Sequence, residues 1–499
     1  MARYGFLIDQ DTCIGCHACT VACKAEHSVP LGVNRTWVKY IEKGDFPNTR
    51  RLYSVMRCNH CEDAPCVKVC PTGALFHRDN GIVDFDTSNC IGCKSCMNAC
   101  PYDAIYINPD EHTAQKCNFC AHRVEQGLEP SCVIVCPTQS IVAGDLDDPT
   151  SRISQLVARS DVQVRSPEQH TKPKLYYKGA DQASLDPTRS RIADDGLIWA
   201  QTTPDHSTPP GVDGQAVART VYTTAHPMPW RGKVTAYLVT KAVAAGALMV
   251  GALLVLLGHA GDQAAVGLFP PLLAGVFSLV TGILLVADLK QPRRFMYILT
   301  RPNWSSWLAR GALILSAYAG VTGAWFLAGV FDLAGLIQVL AIPGLVLGAA
   351  TAGYTAYLFG QCEGRDLWQT PLLLPILLAQ AVVAGASAFL VADLFMAVPE
   401  ADALRWVLLA GVAAVALLTF AEVSGRGTAH VELATKEMTR GRYAKRFWVA
   451  GVILGLAVPA ALVTIGGTAL GAAAGVAALA GLAGYEDAFV RAGQSVPLS

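Results

Sequence analysis

Cys90-Ile91-Gly92-Cys93-Lys94-Ser95-Cys96-Met97-Asn98-Ala99-Cys100-Pro101 is a C-x2-C-x2-C-x3-C-P run. Three closely spaced thiolates can hold three corners of an iron–sulfur cube, while the fourth lies a helical turn away and points at a neighbouring cube. Working outward, Cys58, Cys61, Cys66 and Cys70 form a run before it, closed by Pro71, and Cys117, Cys120, Cys132 and Cys136 form one after it, closed by Pro137. Cys13, Cys16, Cys19 and Cys23 open the series with the same spacing as the quoted run. Sixteen of the 17 cysteines are thereby used. Since such clusters come in pairs, four complete runs imply four [4Fe–4S] clusters, about sixteen iron atoms.

Competing readings of the cysteines fail on their own terms. Structural zinc wants four tetrahedral ligands and usually mixes in His. A disulfide framework belongs to small secreted domains, and this chain has 499 residues. Cys13-Ile14-Gly15-Cys16-His17 matches the c-type haem attachment pattern, but a haem there would strip two ligands from a complete run. Cys362 is left over and reads as an ordinary thiol in a loop or at a helix end.

Lys plus Arg and Asp plus Glu both number 39, so no global field points to nucleic acid. The average hides two unlike halves. Residues 1–145 hold the cysteine runs among many polar residues. Residues 146–230 are polar and carry Pro204, Pro209, Pro210, Pro227 and Pro229, which reads as a linker with little core of its own. Residues 231–490 are Ala, Leu, Val and Gly broken by short polar loops. About 20 apolar residues suffice for a helix to cross the hydrocarbon layer. Eight segments qualify, at 234–258, 265–288, 306–330, 335–360, 370–395, 403–424, 447–465 and 468–485. The last is short and rich in Ala and Gly, and its alternative is a buried hairpin with its neighbour. Gly246, Gly251, Gly344, Gly348 and Gly353 suit close helix packing. The expected fold is an α+β ferredoxin-like four-cluster domain followed by an all-α transmembrane bundle of about eight helices.

Lys and Arg report orientation. Loops on the side of the N-terminal domain carry fourteen of them: Arg231, Lys233, Lys290, Arg293, Arg294, Arg301, Arg310, Arg365, Arg426, Lys436, Arg440, Arg442, Lys445 and Arg446. The opposite loops carry only Arg405. A bias of this size puts the cluster domain on the cytoplasmic face of the cytoplasmic (inner) membrane. Met1 to Asp11 has neither a twin-arginine signal nor an apolar signal core.

None of the 11 histidines falls within an expected span, and a membrane-buried haem b needs His on facing helices. The membrane half is therefore expected to carry no haem. Charged residues inside spans are costly and by default functional. Lys241, Asp288, Asp393 and Glu422 stand out. Lys241 lies about eight residues in, roughly 12 Å deep at 1.5 Å per residue, although snorkelling to the headgroups competes with a buried role. Solvated helix ends compete likewise at Asp288 and Glu422. Counting spans puts Lys241, Asp288, Tyr354, Tyr357, Glu422 and the 290–310 arginines at one level, on the cluster side. Quinone reduction takes two electrons and two protons, so proton-donating groups must stand near the carbonyls. Tyr354, Lys241, Asp288 and Arg293 are the candidate quinone-site residues.

Both halves resemble one family, the polysulfide-reductase-type modules that accompany molybdopterin enzymes. Thr36-Trp37 to Pro47, Cys58-Asn59-His60-Cys61 to Cys70-Pro71-Thr72-Gly73-Ala74, and Lys116-Cys117-Asn118-Phe119-Cys120 are similar to its four-cluster electron-transfer subunit. Asp288-Leu289-Lys290-Gln291-Pro292-Arg293-Arg294-Phe295, Arg301-Pro302-Asn303-Trp304, Ser306-Trp307 and Gly353-Tyr354-Thr355 resemble its quinone-binding, NrfD-like partner. The family's first-span quinone ligand is loosely matched by Thr240 or Lys241. Two departures matter. The subunits, usually separate chains, are fused here, and the loop charges resemble the cytoplasm-facing sulfite-dehydrogenase type more than the periplasmic polysulfide or thiosulfate type. The resemblance implies that the first run pairs with the fourth and the second with the third. Cys13, Cys16, Cys19 and Cys136 would hold one cluster, nearest the molybdenum subunit, and Cys23, Cys117, Cys120 and Cys132 its twin. Cys58, Cys61, Cys66 and Cys100 would hold a third, and Cys70, Cys90, Cys93 and Cys96 the fourth, nearest the quinone.

The resulting expectation is an electron-transfer and quinone-reactive anchor subunit of a membrane-bound molybdopterin oxidoreductase acting on sulfur compounds. Substrate chemistry belongs to a separate catalytic subunit, and the other partners are membrane lipid and either menaquinone or ubiquinone. The alternative is a quinone module of a hydrogenase, multihaem cytochrome or alternative respiratory complex, with or without proton translocation.

Overall fold

In the computed structural model, residues 2–44, 47–192 and 218–499 are described. They divide into two compact units.

The first unit comprises Met1–Pro229 with two short segments from later in the chain, Cys362–Arg365 and Val496–Ser499. Phe6, Leu7 and Ile8 are consecutive apolar residues, so a strand through them must be covered on both faces. In β1 (Tyr4–Asp9) all three are buried. β1 pairs antiparallel with β8 (Ile141–Asp145) and parallel with β10 (Leu175–Lys178), which pairs in turn with β9 (Val162–Gln163). A second four-stranded sheet has the order β11 (Arg191–Ile192), β12 (Arg219–Tyr222), β2 (Thr36–Lys43), β3 (Arg50–Arg57). Two small hairpins complete the unit, β4 (Leu75–His77) with β5 (Val83–Phe85) and β6 (Ile105–Ile107) with β7 (Ala114–Lys116).

This corrects the reading of 146–230 as a linker without core. Leu175 and Tyr177 of β10 are fully buried, and β9, β11 and β12 all fall in the same stretch. The physical reason is that each strand is only two to four residues long. Their apolar residues are too few to signal a core until β1 and β2 supply the other side. Pro204, Pro209 and Pro210 lie outside the described residues, while Pro227 and Pro229 close the unit.

The second unit comprises Trp230–Gln361 and Asp366–Ser495. Eight of its helices are long and apolar enough to cross a membrane: Gly232–His259, Gln263–Asp288, Trp307–Val330, Ala334–Gly360, Leu373–Ala392, Ala401–Ser424, Arg446–Ile465 and Thr468–Ser495. The last is not short. It runs 28 residues, because the helix continues through Tyr485-Glu486-Asp487, which reads as a polar loop. The first and fifth spans are 72% and 67% buried within the unit, against 22–28% for the second, third, fourth, sixth and seventh. They form the centre of the bundle, and Gly246 and Gly385 let their backbones touch. A Cβ on Gly246 would meet Ala381 O at 2.0 Å.

Candidate functional site: thiol quartets and a buried lysine

Local geometry repeats at every cysteine run. The residue before the second cysteine is left-handed in all four: Gly15 (φ 70), His60 (φ 46), Gly92 (φ 69) and Phe119 (φ 62). Such a turn lets the chain wrap a central object with successive side chains pointing inward. Gly15 meets its steric requirement outright, since a Cβ there would lie 2.4 Å from the Tyr53 ring. His60 and Phe119 bear the strain because they are buried against each other and Phe6; the Phe119 ring centroid lies 5.4 Å from that of His60 and 4.0 Å from that of Phe6. Short helices then carry the next cysteines: α1 (Ala18–Glu26) bears Cys19 and Cys23, α2 (Pro65–Val69) Cys66, and α3 (Ser95–Ala99) Cys96. After Cys120 comes α4 (Ala121–Val124), and Cys132 lies in α5 (Ser131–Ile134).

The turns and helices bring the sulfurs together in fours. Cys13, Cys16, Cys19 and Cys136 line one cavity, Cys58, Cys61, Cys66 and Cys100 a second, and Cys70, Cys90, Cys93 and Cys96 a third. Cys23, Cys117, Cys120 and Cys132 are mutual electrostatic neighbours. The grouping joins first run to fourth and second to third. All 17 cysteines are free. Among the described residues no three His, Cys, Asp or Glu side chains close on a point tightly enough for a single ion. The thiols ring cavities instead, which fits a cube of four irons better than one metal. Backbone N–H groups are already aimed at sulfur: Ala114 to Cys90 at 3.3 Å, Phe119 to Cys117 at 3.4 Å and His60 to Cys58 at 3.5 Å. Burial pushes the Cys19 thiol up to about 12 and Cys23 up to about 11, so metal uptake would release their protons. Exposure differs among the quartets. In the first, Cys16 is exposed and Cys13 and Cys136 are half-buried, whereas every sulfur of the Cys23 and Cys58 quartets is buried. Cys362 is wholly buried within electrostatic reach of Cys93, and close to it in sequence Arg365 Nε donates to Asn98 Oδ1 at 3.2 Å.

In the second unit, Lys241 is 2% exposed and does not snorkel. Its Nζ donates to Ala352 O at 3.1 Å and to Thr355 Oγ1, and stands 4.9 Å from the centre of the Tyr354 ring. Gly311 leaves room for that ring, since a Cβ there would come within 2.4 Å of it. Two candidates from the sequence, Lys241 and Tyr354, are thus neighbours. Asp288 is exposed at the end of the second span, and Arg293 is exposed in the short turn Pro292–Arg294, so the structure does not bring either of them to the lysine. Asp393 accepts from Val398 N at 3.3 Å just beyond the fifth span, a turn contact at a helix end. Glu422 Oε2 accepts from Tyr485 Oη at 3.1 Å.

Sequence reasoning missed Glu486, which is buried, attracts Lys241 and lies within hydrogen-bonding reach of Gln380. The available signal was periodicity: Glu486 follows buried Leu482 by four residues and so continues the same helix face.

Comparison with known proteins follows the same division. Residues 220–485, just over half of the chain, match the family described as polysulphide reductase, NrfD. The chain belongs to this family. Residues 12–75 and 49–146 match 4Fe-4S dicluster domains. Outside its NrfD portion, the chain is similar to a component of tetrathionate reductase from Salmonella typhimurium, 42% identical over 193 residues, covering 38% of this chain and 77% of that protein. It is 45% identical over 178 residues to protein NrfC of Escherichia coli (35% and 79% covered), and 46% identical over 163 residues to the thiosulfate reductase electron transfer subunit PhsB of Salmonella typhi (32% and 84% covered). The protein is an iron–sulfur electron-transfer subunit fused to an NrfD-type multi-pass membrane domain, homologous to the electron-transfer subunits of sulfur-compound reductases.

Proposed function

We propose that the four quartets each hold a [4Fe–4S] cluster and that the chain passes electrons between a separate molybdopterin subunit and membrane quinone. When bound, the clusters would supply one-electron carriers spaced through the first unit. The gradient of exposure among the quartets carries this reading. Cys16 opens the first quartet to solvent, and beside its ligands Ile14 and Val135 are 56% and 40% exposed. An exposed apolar rim around a redox centre is what a docking partner needs.

At the other end, Lys241 and Tyr354 are the groups that would bind and protonate a quinone. Lys241 offers N–H donors where a carbonyl oxygen gains charge, and Tyr354 offers a phenol proton. Glu486 balances the lysine, and Glu422 with Tyr485 gives a second buried proton-holding pair. Asp288 and Arg293 stand outside this cluster and are kept as secondary candidates at and beyond the end of the second span. The fourteen positive charges on the loops of one side support a cytoplasmic location for the cluster unit, in the inner membrane.

The test is purification of the intact complex from the native membrane under anaerobic conditions. Molybdenum or tungsten should co-purify with the chain, and Tyr354→Phe should lower quinone turnover at least tenfold while leaving cluster reduction intact. Haem or nickel in place of molybdenum and tungsten would favour the alternative assemblies. Unchanged turnover in the Tyr354 variant would reduce the membrane unit to an anchor.

A further inference from the structure

Arg57, the last residue of β3, is among the most completely buried side chains of the first unit, at 0% exposure. A guanidinium in that position normally faces a carboxylate, because an unpaired buried charge is among the costliest groups a fold can carry. No carboxylate pairs with Arg57 among the described residues. Its Nη1 donates to Cys132 Sγ at 3.1 Å, and its guanidinium carbon lies 4.5 Å from the centre of the Phe6 ring. Nε and Nη2 are buried with no hydrogen-bond partner. The negative groups around it are cysteines: Cys132 and Cys117 of the second quartet and Cys19 of the first. The same quartet meets a second nitrogen, since His27 Nε2 lies 3.2 Å from Cys120 Sγ.

We infer that Arg57 is a tuning residue that sets the reduction potential of the cluster held by Cys23, Cys117, Cys120 and Cys132, making it the most easily reduced of the four. The inference rests on the proposed occupancy of that quartet. Reduction adds one electron to a centre whose thiolates already carry negative charge; no bond forms or breaks, and Arg57 keeps its proton. A fixed positive charge donating to a ligand sulfur stabilises the electron-rich form more than the oxidised one, and net charge and hydrogen bonds to sulfur are among the levers that set cluster potentials. Low local dielectric strengthens the effect, because bulk water does not reach the guanidinium to screen it. The consequence for electron flow is a resting place. An electron entering from the exposed quartet would be held at its buried twin until the next arrives, which suits a relay that must serve a two-electron carrier one electron at a time.

The experiment is a redox titration of the anaerobically purified full chain, followed by electron paramagnetic resonance, in wild type and in Arg57→Gln. The expected result is that one centre titrates above the others, and that Arg57→Gln moves this centre alone to lower potential with iron content unchanged. Arg57→Gln with full iron and unmoved midpoints would overturn the inference, as would an equal shift of all centres. If the variant loses iron, wild-type protein grown with 15N-arginine decides, poised so that only the highest-potential centre is reduced. Hyperfine coupling of that centre to an arginine nitrogen upholds the assignment, and its absence overturns it. A wild-type titration that reveals no iron–sulfur centres would instead defeat the proposed function itself.

Discussion

The two units bury charge in opposite ways. In the first, Arg57, Arg165, Lys39 and Lys116 are all at most 2% exposed. Three of them have contacts with sulfur or backbone carbonyls: Arg57 donates to Cys132, Lys116 to Val83 O and Cys117 O, and Arg165 to Leu185 O and Leu498 O. In the second, the buried cation Lys241 has the buried carboxylate Glu486 beside it. An excess of buried positive charge makes sense where the chain encloses anionic clusters. A hydrocarbon-facing bundle has no such counter-charge and must balance itself residue by residue. Cofactor charge is thus written into the first unit as buried cations, and into the second not at all.

The comparison breaks most directly if the quartets are not cluster sites. Cys96→Ala should cost one whole cluster, lowering iron from about sixteen to about twelve atoms per chain, as measured by iron analysis of anaerobic protein. Loss of a single iron or of none would leave the buried cations without their explanation. The neutrality of the second unit is sharpened by its one pair. Glu486→Gln should destabilise the membrane unit by about 3–5 kcal/mol, the usual result of orphaning a buried charge. A double variant with Lys241→Met should recover most of that loss in thermal unfolding in detergent. Equal loss in single and double variants would mean that the two side chains do not interact.

A pH test probes Lys39, a buried cation of the first unit set apart from the quartets. Burial, with Arg165 adding to it, pushes the Lys39 ammonium down from 10.5 to about 7. Between pH 7 and 10.5 the unfolded chain then holds a proton that the folded chain lacks. Stability should therefore rise with pH across that window, by roughly 1 kcal/mol per unit, and the slope should vanish below pH 7, where both states are protonated. Lys39→Met should flatten the rise, seen as thermal midpoints that no longer climb from pH 7 to 9, and an identical climb in the variant would contradict it. The smallest effect is steric. Gly246→Ala should cost about 1–3 kcal/mol by forcing the first and fifth spans apart, whereas the same change at Gly282, where a Cβ meets nothing within 4 Å, should be near neutral.

What the sequence reveals follows the same line. Cysteine spacing is a direct imprint of cluster geometry, so the quartets and the ferredoxin-like fold are readable residue by residue. Hydropathy likewise marks eight spans, because lipid imposes length and polarity without regard to partner. Strands β9 to β12 escape notice because their cores are borrowed from β1 and β2. Glu486 escapes because an acidic residue near the end of an Ala- and Gly-rich helix looks like a solvated terminus, and only the packing of Lys241 from the first span makes it internal. Arg57 escapes for a related reason: it adjoins Cys58 in sequence, yet its Nη1 reaches Cys132, 75 residues further along.

The central claim is that electrons held by the thiol quartets leave to quinone in the membrane unit. Wild-type protein in lipid nanodiscs, its clusters reduced chemically and the excess reductant removed, should be mixed with quinone in a stopped-flow instrument under anaerobic conditions. The iron–sulfur absorbance should return as quinol forms, with two electrons withdrawn for each quinol. Clusters that stay reduced in the presence of quinone, with all four centres intact, would contradict it.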